Sequence, residues 1–300
     1  MPDTPDVHPD FAASVVIPTR NRASMLATCL RSVLEQDLDA VYEVIVLDDG
    51  SSDHTRAVVE QVRGVSRLPT VVRYEWQAGH GLNAARNRGA ALARGPLVCY
   101  VDDDVDTPSS WLRGLVEGMR RHTGAEALGG PILLRIEGRE PRHCKGDRLP
   151  ETHLDYGPAD LRDKRLYGAN LAVRRSALER VGGFDEAMGI YGDEEEWQDR
   201  LLSHGGHSVY LADAWLWHRR TPAELGYWYL MRRSYKTGYG HVPYLASIGL
   251  EPSFPGEFMT IVRGFGHASV FGCFYGVLRA CRAWGKCRRL WDLRRASDDA

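Results

Sequence analysis

The chain has 300 residues, 43% hydrophobic and 26% charged, the balance of a globular protein with a sizeable core. Its formal net charge of −2 argues against nucleic acid as the main partner, since a phosphate backbone calls for a broad basic face. No apolar run reaches the ~20 residues needed to span a bilayer.

Met1–Asp10 is polar and Pro-rich with no hydrophobic signal segment, so residues 1–12 read as a disordered N-terminus and a cytoplasmic location is expected. Ser14–Ile17 is an apolar run closed by Pro18, the profile of a buried strand. Met25, Leu26, Cys29, Leu30, Val33 and Leu34 then recur at three- and four-residue intervals, which predicts a helix. A second strand over Val41–Leu47 stops at Asp48-Asp49-Gly50, and Asp53 is placed to cap a helix over Thr55–Val62. Val71, Val72 and Tyr74 mark a third strand, Gly81–Arg94 an Ala-rich helix, and Leu97–Val101 a fourth strand. Strands alternating with helices imply an α/β, doubly wound, mostly parallel sheet.

Ligands of such sheets bind beyond the carboxyl ends of the strands. Polar clusters fall at those ends: Thr19-Arg20-Asn21, Asp48-Asp49 and Asp102-Asp103-Asp104. Three adjacent carboxylates repel one another and suit a hard divalent ion such as Mg2+ or Mn2+; a solvated acidic turn is the plain alternative. The six cysteines (Cys29, Cys99, Cys144, Cys273, Cys281, Cys287) show no CxxC pair and no Cys/His spacing suited to zinc.

Ser14–Arg22, Val46–Asp53, Ala85–Gly89, Tyr100–Asp104, Gly168–Ala172, Val181–Asp185, Tyr191–Glu196 and Leu216–His218 occur in an order and spacing that resembles family 2 glycosyltransferases. That resemblance implies a GT-A fold over residues 13–220, with a nucleotide-binding half at 13–105 and an acceptor and base half at 106–220, followed by a helical extension at 221–300. It implies a metal-dependent, inverting transfer from a UDP- or dTDP-linked sugar to an acceptor hydroxyl. Pro18, Thr19, Arg20, Asp48, Arg86, Asp102, Asp103 and Asn170 would surround the donor, with Asp48 and Thr19 at the base and Arg86 near the ribose or diphosphate. Asp104, Asp102 and His218 would hold Mn2+ or Mg2+. Aligning Tyr191-Gly192 and Arg200-Leu201 with the family puts Glu194 at the general-base position, with Asp193 second, so the acids stand in the reverse of the family's usual Glu-Asp order.

Two other readings stay open: a catalytically inactive nucleotide-sugar-binding scaffold and a sugar nucleotidyltransferase, the latter disfavoured because Pro18–Asn21 has no glycine-rich phosphate loop. Saccharide, lipid-linked and small-molecule acceptors all fit. Residues 137–165, rich in charge, Pro and Gly, read as a long mobile loop and a candidate acceptor wall. Leu225–Tyr244, aromatic and basic, reads as an amphipathic packing helix, with stacking on a saccharide acceptor as the alternative. From Phe258 to Leu293, apolar and basic residues alternate in the manner of a basic amphipathic helix. That helix is expected to serve peripheral membrane contact at the inner face, homodimerisation through 257–295, or cover for the catalytic domain.

Overall fold

Ser14–Thr19 forms β1, buried at every position, and lies in the middle of a sheet rather than at its edge. The computed structural model describes residues 11–65, 70–141, 144, 152–189 and 191–298. α1 (Ala23–Leu34) follows and buries Met25, Leu26, Cys29, Leu30 and Val33, the stripe its periodicity predicts. Next come β2 (Glu43–Asp48), α2 (Thr55–Val65), β3 (Val71–Trp76), α3 (Leu82–Leu92) and β4 (Leu97–Val101). Asp53 caps as expected, accepting hydrogen bonds from the Thr55 amide at 3.1 Å and the Ala23 amide at 3.1 Å.

The strand runs further than its sequence predicts, because Pro18 is inside β1. A proline in a central strand normally costs a ladder hydrogen bond. Here the β1–β4 register covers only Ser14–Val16, so Pro18 faces no β4 residue and pairs in register with Leu47 of β2 alone.

After β4 come β5 (Val105–Asp106), α4 (Trp111–Arg121), β6 (Ala127–Gly129), β7 (Ile132–Ile136), β8 (Leu161–Arg162), β9 (Asn170–Arg174), α5 (Arg175–Val181), α6 (Asp193–Ser203), β10 (Ser208–Tyr210) and β11 (Leu216–Arg220). The large sheet has the order β3-β2-β1-β4-β9-β6-β10-β8. Pairings β1–β2, β1–β4, β2–β3 and β6–β10 are parallel, whereas β9 runs antiparallel to both β4 and β6. This is the mostly parallel α/β sheet that the strand–helix rhythm implies.

The chain divides into two compact units. The first comprises Met1–Leu133, Leu154–Gly183 and Arg200–Trp217 and contains the whole large sheet. The second comprises Leu134–His153, Phe184–Asp199 and His218–Ala300, and is mainly helical. Its long helices are α7 (Tyr227–Ser247), α8 (Phe254–Phe271) and α9 (Phe274–Asp298). The alternating pattern from 258 to 293 is therefore two helices, not one. Gly272 breaks it in a left-handed conformation with φ 59°, which only glycine adopts without strain. α8 and α9 touch backbone to backbone: a Cβ on Gly264 would stand 2.6 Å from the Gly276 carbonyl oxygen, and one on Gly276 2.4 Å from that of Gly264. The stretch expected to be a mobile loop, 137–165, lies partly outside the described residues; within it, Leu161–Arg162 is an edge strand of the large sheet.

Candidate nucleotide-binding and acidic site

The carboxyl ends of β1, β2 and β4 bring the three polar clusters together in the first unit. Thr19 sits opposite Asp48 in the β1–β2 register, and its Oγ1 donates a 2.7 Å hydrogen bond to Asp103 Oδ2. Asp103 and Asp104 are both buried. Burial pushes the Asp103 carboxyl up to about 7, with Asp104 and Asp102 acting in the same direction against Arg22 and Thr19. Below them, the Cys29 thiol donates to the Asp102 carbonyl oxygen at 3.3 Å; burial and then the three aspartates raise its pKa, so it stays a neutral donor.

Arg22, which the sequence reading passed over, is the cation of this cluster. Its Nε lies 3.3 Å from Asp103 Oδ1 and its Nη2 donates to Asp104 Oδ2 at 2.9 Å. Asp102 is more open, with Arg86 Nη2 3.7 Å from its Oδ1. Arg86 is itself buried and rests against Gly168, where a Cβ would come within 2.2 Å of Arg86 Nη2. A side chain at 168 would displace the guanidinium beside it.

Asp48 is buried and holds its loop, accepting from the Ser51 amide at 2.7 Å and from the Tyr74 hydroxyl at 2.6 Å. Burial, and then the Asp48 carboxylate, push the Tyr74 phenol well above its ordinary range, so it remains a donor. Asp49 does more than the sequence foretold. It accepts from Gln77 Nε2 at 2.7 Å and from the amides of His80 at 2.8 Å and Gly81 at 3.0 Å, fastening the β3–α3 turn to the end of β2. Arg20 is exposed, with Nη1 3.8 Å from Asp49 Oδ2.

Asn170, opposite Val101 in the β4–β9 register, is buried at the same end of β4. Its Oδ1 accepts from Trp111 Nε1 at 2.9 Å, and its Nδ2 donates to the carbonyls of Ala214 at 2.8 Å and Pro131 at 3.3 Å. The Asn170 amide thus makes three hydrogen bonds within the fold.

A carboxylate oxygen of Asp102 and one of Asp104 lie within 4.8 Å of each other. These all-oxygen donors at the mouth of a buried strand fit a hard divalent cation better than zinc or copper.

The remaining expected residues belong to the second unit. Asp193 is buried at the start of α6 and its Oδ1 accepts from the Tyr191 amide at 3.1 Å; Glu194 follows it in the first turn, where the helix N-terminus favours negative charge. His218 is buried on β11, with Arg220 Nη2 3.0 Å from its Nδ1. Arginine can only donate, so that ring nitrogen accepts.

Residues 14–182 match the family model described as "Glycosyl transferase family 2". Among curated relatives, glycosyltransferase AglE of Haloferax volcanii is 26% identical over 236 residues, covering 76% of this chain and 72% of its own length. Validoxylamine A glucosyltransferase of Streptomyces hygroscopicus subsp. jinggangensis is 31% identical over 233 residues, covering 67% of this chain and 54% of that enzyme. The chain thus spans only about half of that relative. Among solved structures, the mannosyltransferase PcManGT from Pyrobaculum calidifontis, in complex with GDP-Man and Mn2+, superposes with a TM-score of 0.60 at 18% identity, over 96% of this chain and 90% of that one. GalNAc-T7 with UDP, GalNAc and Mn2+ gives a TM-score of 0.56 at 18% identity, over 72% of this chain and 45% of that one. The fold shared with them is GT-A, and the chain belongs to glycosyl transferase family 2.

Proposed function

We propose that the chain transfers a hexosyl unit from a UDP- or dTDP-sugar to an acceptor hydroxyl, with inversion at the anomeric carbon and with Mn2+ or Mg2+ at the aspartate cluster. The observation that carries this reading is the convergence of Thr19, Asp48, Arg86 and Asp102–Asp104 at the carboxyl ends of β1, β2 and β4. Asp48, held by Tyr74 and Ser51, keeps lone pairs to accept from a uracil or thymine imide N–H. Thr19, Pro18 and Arg20 border the base. Arg86 matches ribose and diphosphate oxygens with a planar fork of donors.

Asp104 and Asp102 are the proposed metal ligands, with His218 assigned as a third on its position in the family pattern. A divalent cation bound there supplies Lewis-acid stabilisation to the leaving diphosphate. Asp103, bonded to Thr19 and Arg22, sets the turn between the two ligands. Glu194 is the proposed base, with Asp193 second. It takes the acceptor O–H proton as the acceptor oxygen bonds to the anomeric carbon, and the carbon–oxygen bond to the nucleoside diphosphate breaks. Removal of such a base costs typically ~10²–10⁴-fold in rate.

Calorimetry with UDP and dTDP, with and without Mn2+, tests the donor site. Metal-linked binding that disappears in Asp104→Ala is expected; binding indifferent to metal would count against the reading. Glu194→Gln is expected to keep that binding and lose turnover. A chain that binds donor and metal yet turns over none of a panel of acceptors would favour the inactive-scaffold alternative.

One observation favours a lipid-linked acceptor. Phe254, Phe258, Val262 and Phe265 recur along one stripe of α8 and are 41%, 56%, 51% and 48% exposed, with Arg263 exposed beside them. An apolar stripe with basic neighbours seats on an anionic lipid surface. A relative from Campylobacter jejuni is named as a glucosyltransferase acting on an undecaprenol-linked saccharide. Among the described residues no helix is long and apolar enough to cross a membrane. Flotation of the full chain with anionic vesicles, lost in a Phe258→Glu/Val262→Glu variant, is the expected result. Recovery unchanged by the variant would remove the membrane assignment, and a concentration-dependent dimer lost in the variant would reassign the stripe to self-association.

A further inference from the structure

We propose that Cys144, His267 and Cys273 form a second metal site, chemically distinct from the aspartate cluster and suited to Zn2+. Cys144 lies in the connection after β7, His267 on α8, and Cys273 at the turn between α8 and α9, all within the second unit. One ligand atom from each lies within 4.8 Å of the other two.

One edge of the group has the length that a tetrahedral site requires. With Zn–S near 2.3 Å and Zn–N near 2.0–2.1 Å, a tetrahedral S···N edge is about 3.6 Å. Cys144 Sγ and His267 Nε2 are 3.5 Å apart. The Cys144 amide donates to Cys273 Sγ at 3.1 Å, which ties the two cysteines together directly. Cys273 is 2% exposed and the other two are half-buried, so the group is partly shielded from water. The His267 ring packs against Phe271 with centroids 5.0 Å apart, which fixes its direction.

The ligand types sort the two sites. Two sulfurs and an imidazole select zinc-like cations, whereas carboxylates select Mg2+ or Mn2+. Three protein ligands leave a fourth tetrahedral position for water. The site joins residue 144 to ligands 123 and 129 residues further along, so metal would fasten the β7 connection to the α8–α9 hairpin.

The linear sequence hid this site, since its ligands come from three separate segments and form no CxxC or Cys/His spacing. Full-length protein purified under reducing conditions is expected to retain stoichiometric Zn2+ by elemental analysis after dialysis. Replacement by Co2+ should give thiolate-to-cobalt charge-transfer absorption. That absorption should persist in Asp104→Ala, weaken in His267→Asn and vanish in Cys144→Ser and Cys273→Ser. A far-ultraviolet circular-dichroism spectrum and a cooperative melt like those of the wild type would show that the serine variants fold; where one does not, His267→Asn carries the test. A wild-type chain without retained Zn2+ and without the absorption overturns the proposal. So does absorption that survives all three ligand substitutions, or a Cys144–Cys273 disulfide in the freshly reduced protein.

Discussion

Thr19 Oγ1 donates to Asp103 Oδ2 at 2.7 Å, joining the ends of β1 and β4 across 84 residues of sequence. Both partners are buried, so removing the hydroxyl leaves a carboxylate short of a donor. Thr19→Val is expected to destabilise the chain by about 1–3 kcal/mol, and Thr19→Ser to recover most of that. Urea unfolding of the three proteins measures it; equal midpoints for Val and Thr would show that the bond adds nothing.

Arg22 contacts two of the three aspartates, so it stands in for part of the positive charge that the cluster needs. In Arg22→Ala the metal-free chain should lose roughly 1.5–3 kcal/mol, the range for hydrogen bonds to charged groups. Added Mn2+ should then raise its melting temperature by more than it raises that of the wild type. The two Mn2+-induced shifts are compared by thermal unfolding, and a smaller shift in the variant would make Arg22 a helper of metal binding instead.

Gly168→Ala places a methyl 2.2 Å from Arg86 Nη2, a collision with the end of a flexible side chain rather than with backbone. The guanidinium should swing aside. UDP affinity is expected to fall about tenfold or more, while stability changes by no more than about 1 kcal/mol. Calorimetry and urea unfolding separate the two effects. A large stability loss with unchanged affinity would mean that Arg86 is structural.

Burial, followed by Arg282 and Lys286 of α9, lowers the His241 imidazole on α7 from 6.5 to about 4. A histidine with a depressed folded pKa is held neutral. Its contribution is present above pH 6.5 and is lost as pH falls through the window down to about 4. The change amounts to roughly 3 kcal/mol at most. His241→Phe, which keeps the ring against Tyr244, should flatten the pH dependence of stability between those limits. An identical slope in wild type and variant would assign the acid sensitivity elsewhere.

The strands and helices that carry the rim were legible because burial writes a period into sequence. Leu97–Val101 is an uninterrupted apolar run and appears as a strand with those bounds, and Asp53 caps where its spacing says. Asp48 and Asp102–Asp104 stood out as acids that end apolar runs. Arg22 and Asp49 did not, because one more arginine in a loop or one more aspartate in a pair carries no period; their importance comes from partners 82 and 31 residues away. Cys144, His267 and Cys273 were hidden for the same reason. Gly272 shows the converse limit: the apolar pattern continues past it, and only the backbone reveals two helices.

The reversal of β9 against β4 has a consequence for the order in which the donor rim is completed during synthesis. β1 to β4 can assemble from contiguous βα units, but Gly168 and Asn170 arrive about seventy residues after the aspartates they accompany. A nascent chain ending before β9 would carry Thr19, Asp48 and the three aspartates yet lack the segment that backs Arg86. Nucleotide would then add stability only once β9 had zipped onto β4, so ligand in the medium would discriminate finished domains from partial ones.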